Sequence, residues 1–123
     1  MERNHSILIV DDNISLSKTM SFILGRKGYT VITTSNGLEA IEVVKERSFD
    51  FILMDIKMPL MNGVEVYKKI KKIRPEAIVM MMTAYTLEDL IKEALEEGAY
   101  GIIYKPLDIE EVIALIEKAG EAK

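Results

Sequence analysis

The chain has 123 residues, with 16 Lys and Arg residues against 20 Asp and Glu residues and a formal net charge of −4. This length fits one domain with a sizeable core, so we expect a single domain over residues 1–123 with its core at about 6–118. The negative net charge argues against binding to nucleic acid or to an anionic membrane, because both require a clustered cationic surface. The chain contains no cysteine, which excludes disulfides, thiolate metal sites and thiol nucleophiles. No apolar run approaches the roughly 18 residues of a membrane helix, and we expect a cytoplasmic location.

Five apolar runs of strand length alternate along the chain with segments in which apolar residues recur at helical spacing. The predicted strands, in chain order, cover residues 6–10, 29–33, 50–54, 77–82 and 100–104. Five such units in a chain this short imply a parallel sheet with right-handed crossovers and helices on both faces.

The predicted helices, in chain order, cover 14–27, about 36–47, a segment with Val66, Ile70 and Ile73 on one face, 86–97, and a last segment after Asp108. Gly28 and Gly98 are expected to end the first and fourth helices. Asn36 and Asp108 each precede a Glu by three residues, which is the spacing of a capping box. In the fourth helix, Leu95 is expected to face inward.

Polar residues stand where four of the predicted strands end. In an open sheet of this kind, ligands bind at the carboxyl ends of the strands. Asp11 and Asp12 follow the first strand, Asp55 the third, Thr83 the fourth and Lys105 the fifth. Each of these residues alone is more often a turn, cap or loop residue. Three carboxylates at one edge, however, repel one another strongly unless a cation is present.

The residue types at this edge indicate a particular chemistry. Carboxylate oxygens without His or Cys suit a hard cation such as Mg²⁺, and a lysine opposite the cation adds fixed positive charge. Together these charges could neutralise the anionic oxygens of a phosphoryl group. Because carboxylates also serve as phosphoryl acceptors, the pattern predicts a Mg²⁺-dependent aspartate phosphorylation site.

These residues lie within longer motifs, which are Ile-Val-Asp-Asp at 9–12, Leu-Met-Asp-Ile-Lys-Met-Pro at 53–59, Asn-Gly at 62–63, Met-Thr-Ala-Tyr at 82–85, Gly-Ala at 98–99 and Lys-Pro at 105–106. Through these motifs the chain, from Ile7 to about Lys118, resembles the receiver domains of two-component response regulators. Within that family it is most similar to single-domain phosphorelay regulators and to the receivers of enhancer-dependent transcription activators. The resemblance implies a flavodoxin-like α/β fold, (βα)5, with a doubly wound parallel five-stranded sheet of order 2-1-3-4-5.

The resemblance also implies a role for each acidic residue. Asp55 would be the phosphoacceptor, and Asp12 and Asp55 would bind Mg²⁺ directly, with Mn²⁺ as a substitute. Asp11 would act through a metal-bound water, and the backbone carbonyl of Lys57 would complete the protein ligands.

Two further residues would contact the phosphoryl group. By the same resemblance, Thr83 would hydrogen-bond one phosphoryl oxygen and Lys105 would pair with another. The peptide bond between Lys105 and Pro106 would be cis, which only an X–Pro bond adopts at low cost.

Receiver domains usually carry an aromatic residue three positions before the lysine, but this sequence has Ile102 there. By strand alternation Ile102 is expected to share a face with Tyr100 and Tyr104, and we expect Ile102 to shift when Thr83 moves.

Lys57 and Tyr85 flank the route by which water would reach the phosphoryl group. Large residues at these positions go with slow dephosphorylation in the family, so a long-lived phosphorylated state is expected.

The expected function is that of a signalling domain and not of an enzyme with its own substrates. It would take a phosphoryl group from a phosphohistidine of a sensor kinase or phosphotransfer protein, lose it slowly, and control a downstream effector. Homodimerisation through the last helix–strand–helix face is compatible with the resemblance. The alternatives are a degenerate receiver used only for protein interaction, a flavodoxin-like electron carrier and an aspartyl-phosphate hydrolase. The electron carrier fits poorly because Asp11 and Asp12 would repel a flavin phosphate. The hydrolase fits poorly because the chain is too short for a cap domain.

Overall fold

The computed structural model describes residues 5–84 and 86–121. Strands and helices alternate throughout this part of the chain. In order they are β1 (Ser6–Val10), α1 (Ile14–Arg26), β2 (Thr30–Thr34), α2 (Gly37–Glu46), β3 (Phe51–Asp55), α3 (Gly63–Ile73), β4 (Val79–Thr83), α4 (Glu88–Glu97), β5 (Gly101–Tyr104) and α5 (Ile109–Glu121). None of the helices in the described ranges is both long and apolar enough to cross a bilayer.

The five strands form one parallel sheet with the order β2-β1-β3-β4-β5. Alternate residues of each strand point to opposite faces, so the apolar strands build two cores. On one face Leu8 and Val10 of β1 pack with residues of α2, α3 and α4. On the other face Ile7 and Ile9 pack with residues of α1 and α5. The predicted doubly wound (βα)5 sheet of order 2-1-3-4-5 is therefore confirmed.

The strand ends differ from the prediction in a way that matters for the site. Asp55 and Thr83, which the sequence places after strands, are the last residues of β3 and β4 and pair with Met82 and Tyr104. Asp50, predicted to begin the third strand, lies before it, because its Oδ2 accepts hydrogen bonds from the amide and hydroxyl of Ser6 at 2.8 and 3.3 Å. The backbone of Asp55 is thus held by the sheet itself.

The helix starts confirm part of the predicted capping. The Asn36 side chain accepts from the Glu39 amide at 2.9 Å, but the Glu39 carboxylate accepts from Ser35, one residue before the cap, so the predicted capping box is incomplete. A complete capping box, which the sequence analysis did not predict, joins Asn62 and Glu65 at the start of α3. It ties the loop after Asp55 to that helix.

The last two helices confirm one prediction and correct two others. Asp108 caps α5, since its Oδ1 accepts from the amides of Glu110 and Glu111 at 3.0 and 3.4 Å. The fourth helix begins two residues later than predicted, and its N-cap, Leu87, supplies no side-chain hydrogen bond within the described residues. Leu95 is 49% exposed instead of inward, because the buried stripe of α4 consists of Ile91 and Ala94.

Candidate functional site

The carboxyl edge of the sheet brings together Asp11, Asp12, Asp55 and Lys105. Asp11 directly follows β1, Asp55 ends β3, and Lys105 directly follows β5. The Lys105 Nζ atom lies 3.2 Å from Asp11 Oδ2 and 3.4 Å from Asp55 Oδ2, so one ammonium group bridges two carboxylates. One carboxylate oxygen from each of Asp11, Asp12 and Asp55 can be chosen so that all three lie within 4.8 Å of one another.

The three carboxylates differ in their access to solvent. Asp11 is 1% and Asp55 4% exposed, whereas Asp12 is exposed at the mouth of the site. Asp11 also serves the local turn, because its Oδ1 accepts a hydrogen bond of 2.9 Å from the Asn13 amide. A single ammonium group cannot neutralise two buried carboxylates and a third beside them, so the site has an excess of negative charge.

The excess of negative charge shifts the pKa values of the buried ionisable groups. Burial, and after it the negative charge of Asp11, raises the pKa of Asp55 to about 6, and the favourable contact with Lys105 only partly offsets them. Burial of Lys105 disfavours its charged form, but the carboxylates of Asp55 and Asp11 outweigh burial and raise the pKa of Lys105. At neutral pH the lysine is charged, and Asp55 is an anion held in an unfavourable environment.

We expect Asp55→Asn to stabilise the protein in the absence of divalent cations. The pKa of Asp55 is about 6 in the folded protein against an ordinary value of 3.8, so the folded state binds this proton more tightly than the unfolded state does. The Asp55 charge therefore costs stability progressively as the pH rises from about 4 to about 6, and the full cost remains above that range. After allowance for solvent screening, removing the charge should stabilise the protein by about 1–2 kcal/mol at pH 7.5.

Urea unfolding of the wild-type and Asp55→Asn proteins at pH 4 and pH 7.5, with a chelator present, measures this difference. Because the carboxyl is largely protonated in the folded protein at pH 4, the advantage of the variant should nearly disappear there. An equal advantage at both pH values would show that the Asp55 charge is not its source.

The oxygen-only donor set fits a divalent cation of the hard class. Oxygens of the three carboxylates lie within 4.8 Å of one another, and Asp12 is exposed, so the cluster is open to solvent on that side. Such ligands suit Mg²⁺, Ca²⁺ or Mn²⁺ rather than zinc, which prefers nitrogen and sulfur. Receiver-type acidic pockets bind a divalent metal, and the uncompensated charge of this cluster is what such an ion would neutralise.

Thr83 lies at the same edge but makes a local contact. It is 1% exposed, and its Oγ1 donates to the carbonyl of Ala84 at 3.1 Å. Its strand partner Tyr104 immediately precedes Lys105, whose amide donates to the Thr83 carbonyl at 2.8 Å. The Lys105–Pro106 peptide bond is cis.

The remaining predicted residues are not all at the edge. Lys57 is exposed on the loop after Asp55, and Tyr85 lies outside the described residues. Ile102 and Tyr104 pack against the same core, as alternation predicts. The prediction for Tyr100 is wrong, because Tyr100 precedes β5 and its ring makes an edge contact with Phe51, 6.3 Å between centroids, in the opposite core.

Gly63 has a positional role that the sequence analysis did not assign. Its amide donates to the Ile56 carbonyl at 2.7 Å, which closes the loop after Asp55. A Cβ atom at position 63 would overlap the Asp55 carbonyl oxygen and lie 2.9 Å from Ile56 Cα. The available signal was an Asn-Gly pair at a helix start shortly after the buried aspartate, but the close backbone approach is a tertiary feature.

The comparisons with known proteins agree with this geometry. The profile of the response regulator receiver domain matches residues 7–117. The chain is 42% identical over 113 residues to the transcriptional regulatory protein ZraR of Klebsiella oxytoca, covering 92% of this chain but only 26% of that protein. It is 36% identical over 115 residues to sporulation initiation phosphotransferase F of Bacillus subtilis, covering 94% of this chain and 93% of that one.

The solved structures give the same result. A CheY-like receiver domain from Methanospirillum hungatei superimposes with a TM-score of 0.91 at 32% identity, over 97% of this chain and 96% of that one. The chain spans about a quarter of the length of the ZraR proteins that it matches. Family profile, relatives and fold agree, and the chain belongs to the response regulator receiver domains, the phosphoacceptor signalling domains of two-component systems.

Proposed function

We propose that this chain acts as a single cytoplasmic receiver domain that accepts a phosphoryl group on Asp55 from a phosphohistidine of a sensor kinase or phosphotransfer protein. The phosphorylated form then controls a downstream effector. The observation that carries the proposal is the bridging of Asp11 and Asp55 by Lys105 beside the exposed Asp12. This arrangement places a nucleophile, the Asp55 carboxylate, beside a fixed positive charge, the Lys105 ammonium group, at one open edge of the sheet.

In the proposed step, an Asp55 carboxylate oxygen attacks phosphorus in line with the bond to the histidine nitrogen. The new O–P bond forms as the P–N bond breaks, and the imidazole nitrogen keeps the electron pair. Asp55 must be ionised to attack, which its pKa of about 6 allows at neutral pH. Lys105 would move from the carboxylates to a phosphoryl oxygen, and the Thr83 hydroxyl would turn from Ala84 to another.

We assign Mg²⁺ to the acidic cluster, with Mn²⁺ as a substitute. Asp12, Asp55 and the Lys57 carbonyl would be direct ligands and Asp11 would act through a water, as the resemblance implies. When bound, the ion supplies positive charge that offsets the carboxylates and the phosphoryl oxygens.

Intact mass measurement after incubation with acetyl phosphate tests the proposal. We expect one phosphoryl adduct per chain when Mg²⁺ is present and none after chelation. A chain that stays unmodified with acetyl phosphate and with a phosphorylated histidine phosphotransfer protein would instead favour the alternative, a degenerate receiver that serves only for protein interaction.

The phosphorylated state is expected to be long-lived, since Lys57 stands on the loop two residues after Asp55. Its long side chain should hinder the approach of water to the phosphoryl group. Lys57→Ala should therefore speed dephosphorylation severalfold, measured as loss of the adduct over time in Mg²⁺ buffer. Lys69→Ala, at an exposed position of α3, is the matched control and should decay like the wild type. Tyr85, the second residue expected to slow decay, lies outside the described part of the chain.

The conformational response is proposed to pass through Ile102 instead of an aromatic ring. Ile102 packs against the same core cluster as Leu87 and Leu90, which lie at the start of α4, the end closer in sequence to Thr83. The middle and the end of α4 are joined to α3 by ion pairs, since Lys68 Nζ lies 2.5 Å from Glu93 Oε2 and Lys71 pairs with Glu97. A shift of Thr83 should therefore displace the start of α4 more than its end.

Amide chemical shifts measured before and after phosphorylation test this response. We expect changes to extend from the acidic site to β5 and to the start of α4, with smaller changes near Glu97. Changes restricted to residues around Asp55 would contradict it.

The same α4–β5–α5 face includes a groove of about 480 Å³ lined in part by Ile91, Leu95 and Tyr104. This face is the proposed contact of a homodimer.

A further inference from the structure

The first residue of α2, Gly37, lies in close contact with the start of α3 and with the loop that follows Asp55. A Cβ atom at position 37 would overlap Val66 Cγ2, and it would lie 3.5 Å from Met61 Sδ and 3.6 Å from Met61 Cβ. Gly37 is buried and Val66 is fully buried, so the two meet inside the protein. At this point α2 approaches its neighbours too closely to admit one more methyl group.

Space, and not backbone conformation, accounts for the glycine at position 37. Among the described glycines, positive φ angles occur at Gly28 and Gly98, so the conformation of Gly37 is open to other residues. In a helix glycine is also less favourable than alanine. Val66 cannot easily yield to a larger residue, because a β-branched side chain in a helix strongly prefers one χ1 rotamer and this one is packed in the core. Gly37 therefore sets how closely α2 and α3 approach.

One partner of Gly37, Met61, belongs to the loop after Asp55. Its side chain is half-buried and packs against the core that includes residues of α2 and α3. Its amide donates to the Pro59 carbonyl at 2.7 Å, which makes a tight turn in the loop. Because Met61 Cβ is almost as close to position 37 as Sδ is, the contact involves the base of the side chain and not only its flexible end.

The other partner, Val66, is connected to the same loop through the backbone. Its amide donates to the Asn62 carbonyl at 3.1 Å, and the amide of the next residue, Gly63, donates to the Ile56 carbonyl at 2.7 Å. A displacement of Val66 is thus transmitted through two hydrogen bonds to Ile56, the residue directly before Lys57. Both contacts of α2 therefore support the loop that carries the Lys57 carbonyl.

We propose that Gly37 is a positioning residue for the acidic site, because it lets α2 support the loop after Asp55 at the distance that places the Lys57 carbonyl for Mg²⁺. The inference rests on the proposed function, in which that carbonyl is a ligand of the ion. Groups that orient a metal ligand from outside contribute strongly to metal affinity, and their loss commonly costs about 10-fold or more.

The test compares Gly37→Ala with Gly25→Ala, which adds the same methyl group to α1 where a Cβ would meet no described heavy atom within 4 Å. Titration of the backbone amide resonances measures Mg²⁺ affinity. We expect Gly37→Ala to bind Mg²⁺ about 10-fold more weakly than the wild type, and Gly25→Ala to bind it equally well. The amide resonances of Ile56 and Lys57 should already shift in Gly37→Ala before Mg²⁺ is added.

A second substitution separates the position of the loop from a general loss of stability. Val66→Ala removes the Cγ2 atom that the new methyl group would overlap, so the double variant Gly37→Ala/Val66→Ala should regain most of the Mg²⁺ affinity even if its core is packed less well. If Gly37→Ala does not fold, Met61→Ala replaces it in the test. That variant removes the contact from the side of the loop without adding an atom to α2, and it should also weaken Mg²⁺ binding.

Wild-type Mg²⁺ affinity in Gly37→Ala, or in Met61→Ala in its place, would overturn the positioning role and leave Gly37 a packing residue only. Weak binding that Val66→Ala does not restore would also overturn it, because the overlap would not be the cause. If the wild-type protein itself binds no Mg²⁺, the metal site of the proposed function is wrong, and with it the role of Gly37 toward the ion. The Ile56 and Lys57 resonances would still decide whether α2 supports the loop.

Discussion

Asp55→Asn is expected to gain no phosphoryl group from acetyl phosphate and Mg²⁺ under conditions in which every wild-type chain gains one. The asparagine side chain lacks the anionic oxygen that attacks phosphorus, although it has nearly the same shape as the aspartate side chain. Asp55 is the buried carboxylate of β3 that lies 3.4 Å from Lys105, so a neighbouring group cannot easily replace it. Intact mass spectrometry reads the adduct directly.

Asp108→Asn is the matched control for this experiment. Asp108 also lies near the carboxyl edge of the sheet, but it is exposed and caps α5, a role that asparagine fills equally well. The control should be phosphorylated like the wild type. An adduct on the Asp55→Asn chain would place the acceptor elsewhere, and peptide mapping would then show whether Asp11 or Asp12 carries it.

Gly63→Ala is expected to destabilise the protein by about 2–4 kcal/mol, a large effect for the addition of one methyl group. The new Cβ would overlap the carbonyl oxygen of Asp55 and lie 2.9 Å from Ile56 Cα. Both neighbours are backbone atoms at the end of β3, where the sheet prevents them from moving apart. Relief of the overlap would shift Asp55 itself, so the folded fraction of the variant should also be phosphorylated more slowly.

Gly25→Ala gives the matched control, because it makes the same substitution in α1 at a position where a Cβ would meet no described heavy atom within 4 Å. Alanine is the better helix former, so this variant should be equally stable or more stable by up to about 1 kcal/mol. Urea unfolding of both variants at neutral pH measures the contrast. A Gly63→Ala protein as stable as the wild type would show that the loop after Asp55 can retreat from the helix.

The order of strands and helices could be predicted from the sequence because the signal is local. An apolar run such as 6–10 or a helical repeat such as that ending at Gly28 depends on residues close in the chain. Element ends were less predictable. Asp50 resembles the start of a strand, but its carboxylate binds Ser6 from another strand, a contact with no local sequence signal.

The same division applies to the site. Parallel strands carry their carboxyl ends to one edge, so residue type and position in the chain were enough to predict that Asp11, Asp55 and Lys105 would meet there and that a cation would be needed. Packing between distant elements places Lys105 between the two buried carboxylates and Gly63 against the backbone of Asp55. The physical reason is that distances and burial arise from packing between elements far apart in the chain, whereas residue type and spacing reveal only which groups arrive at the same edge.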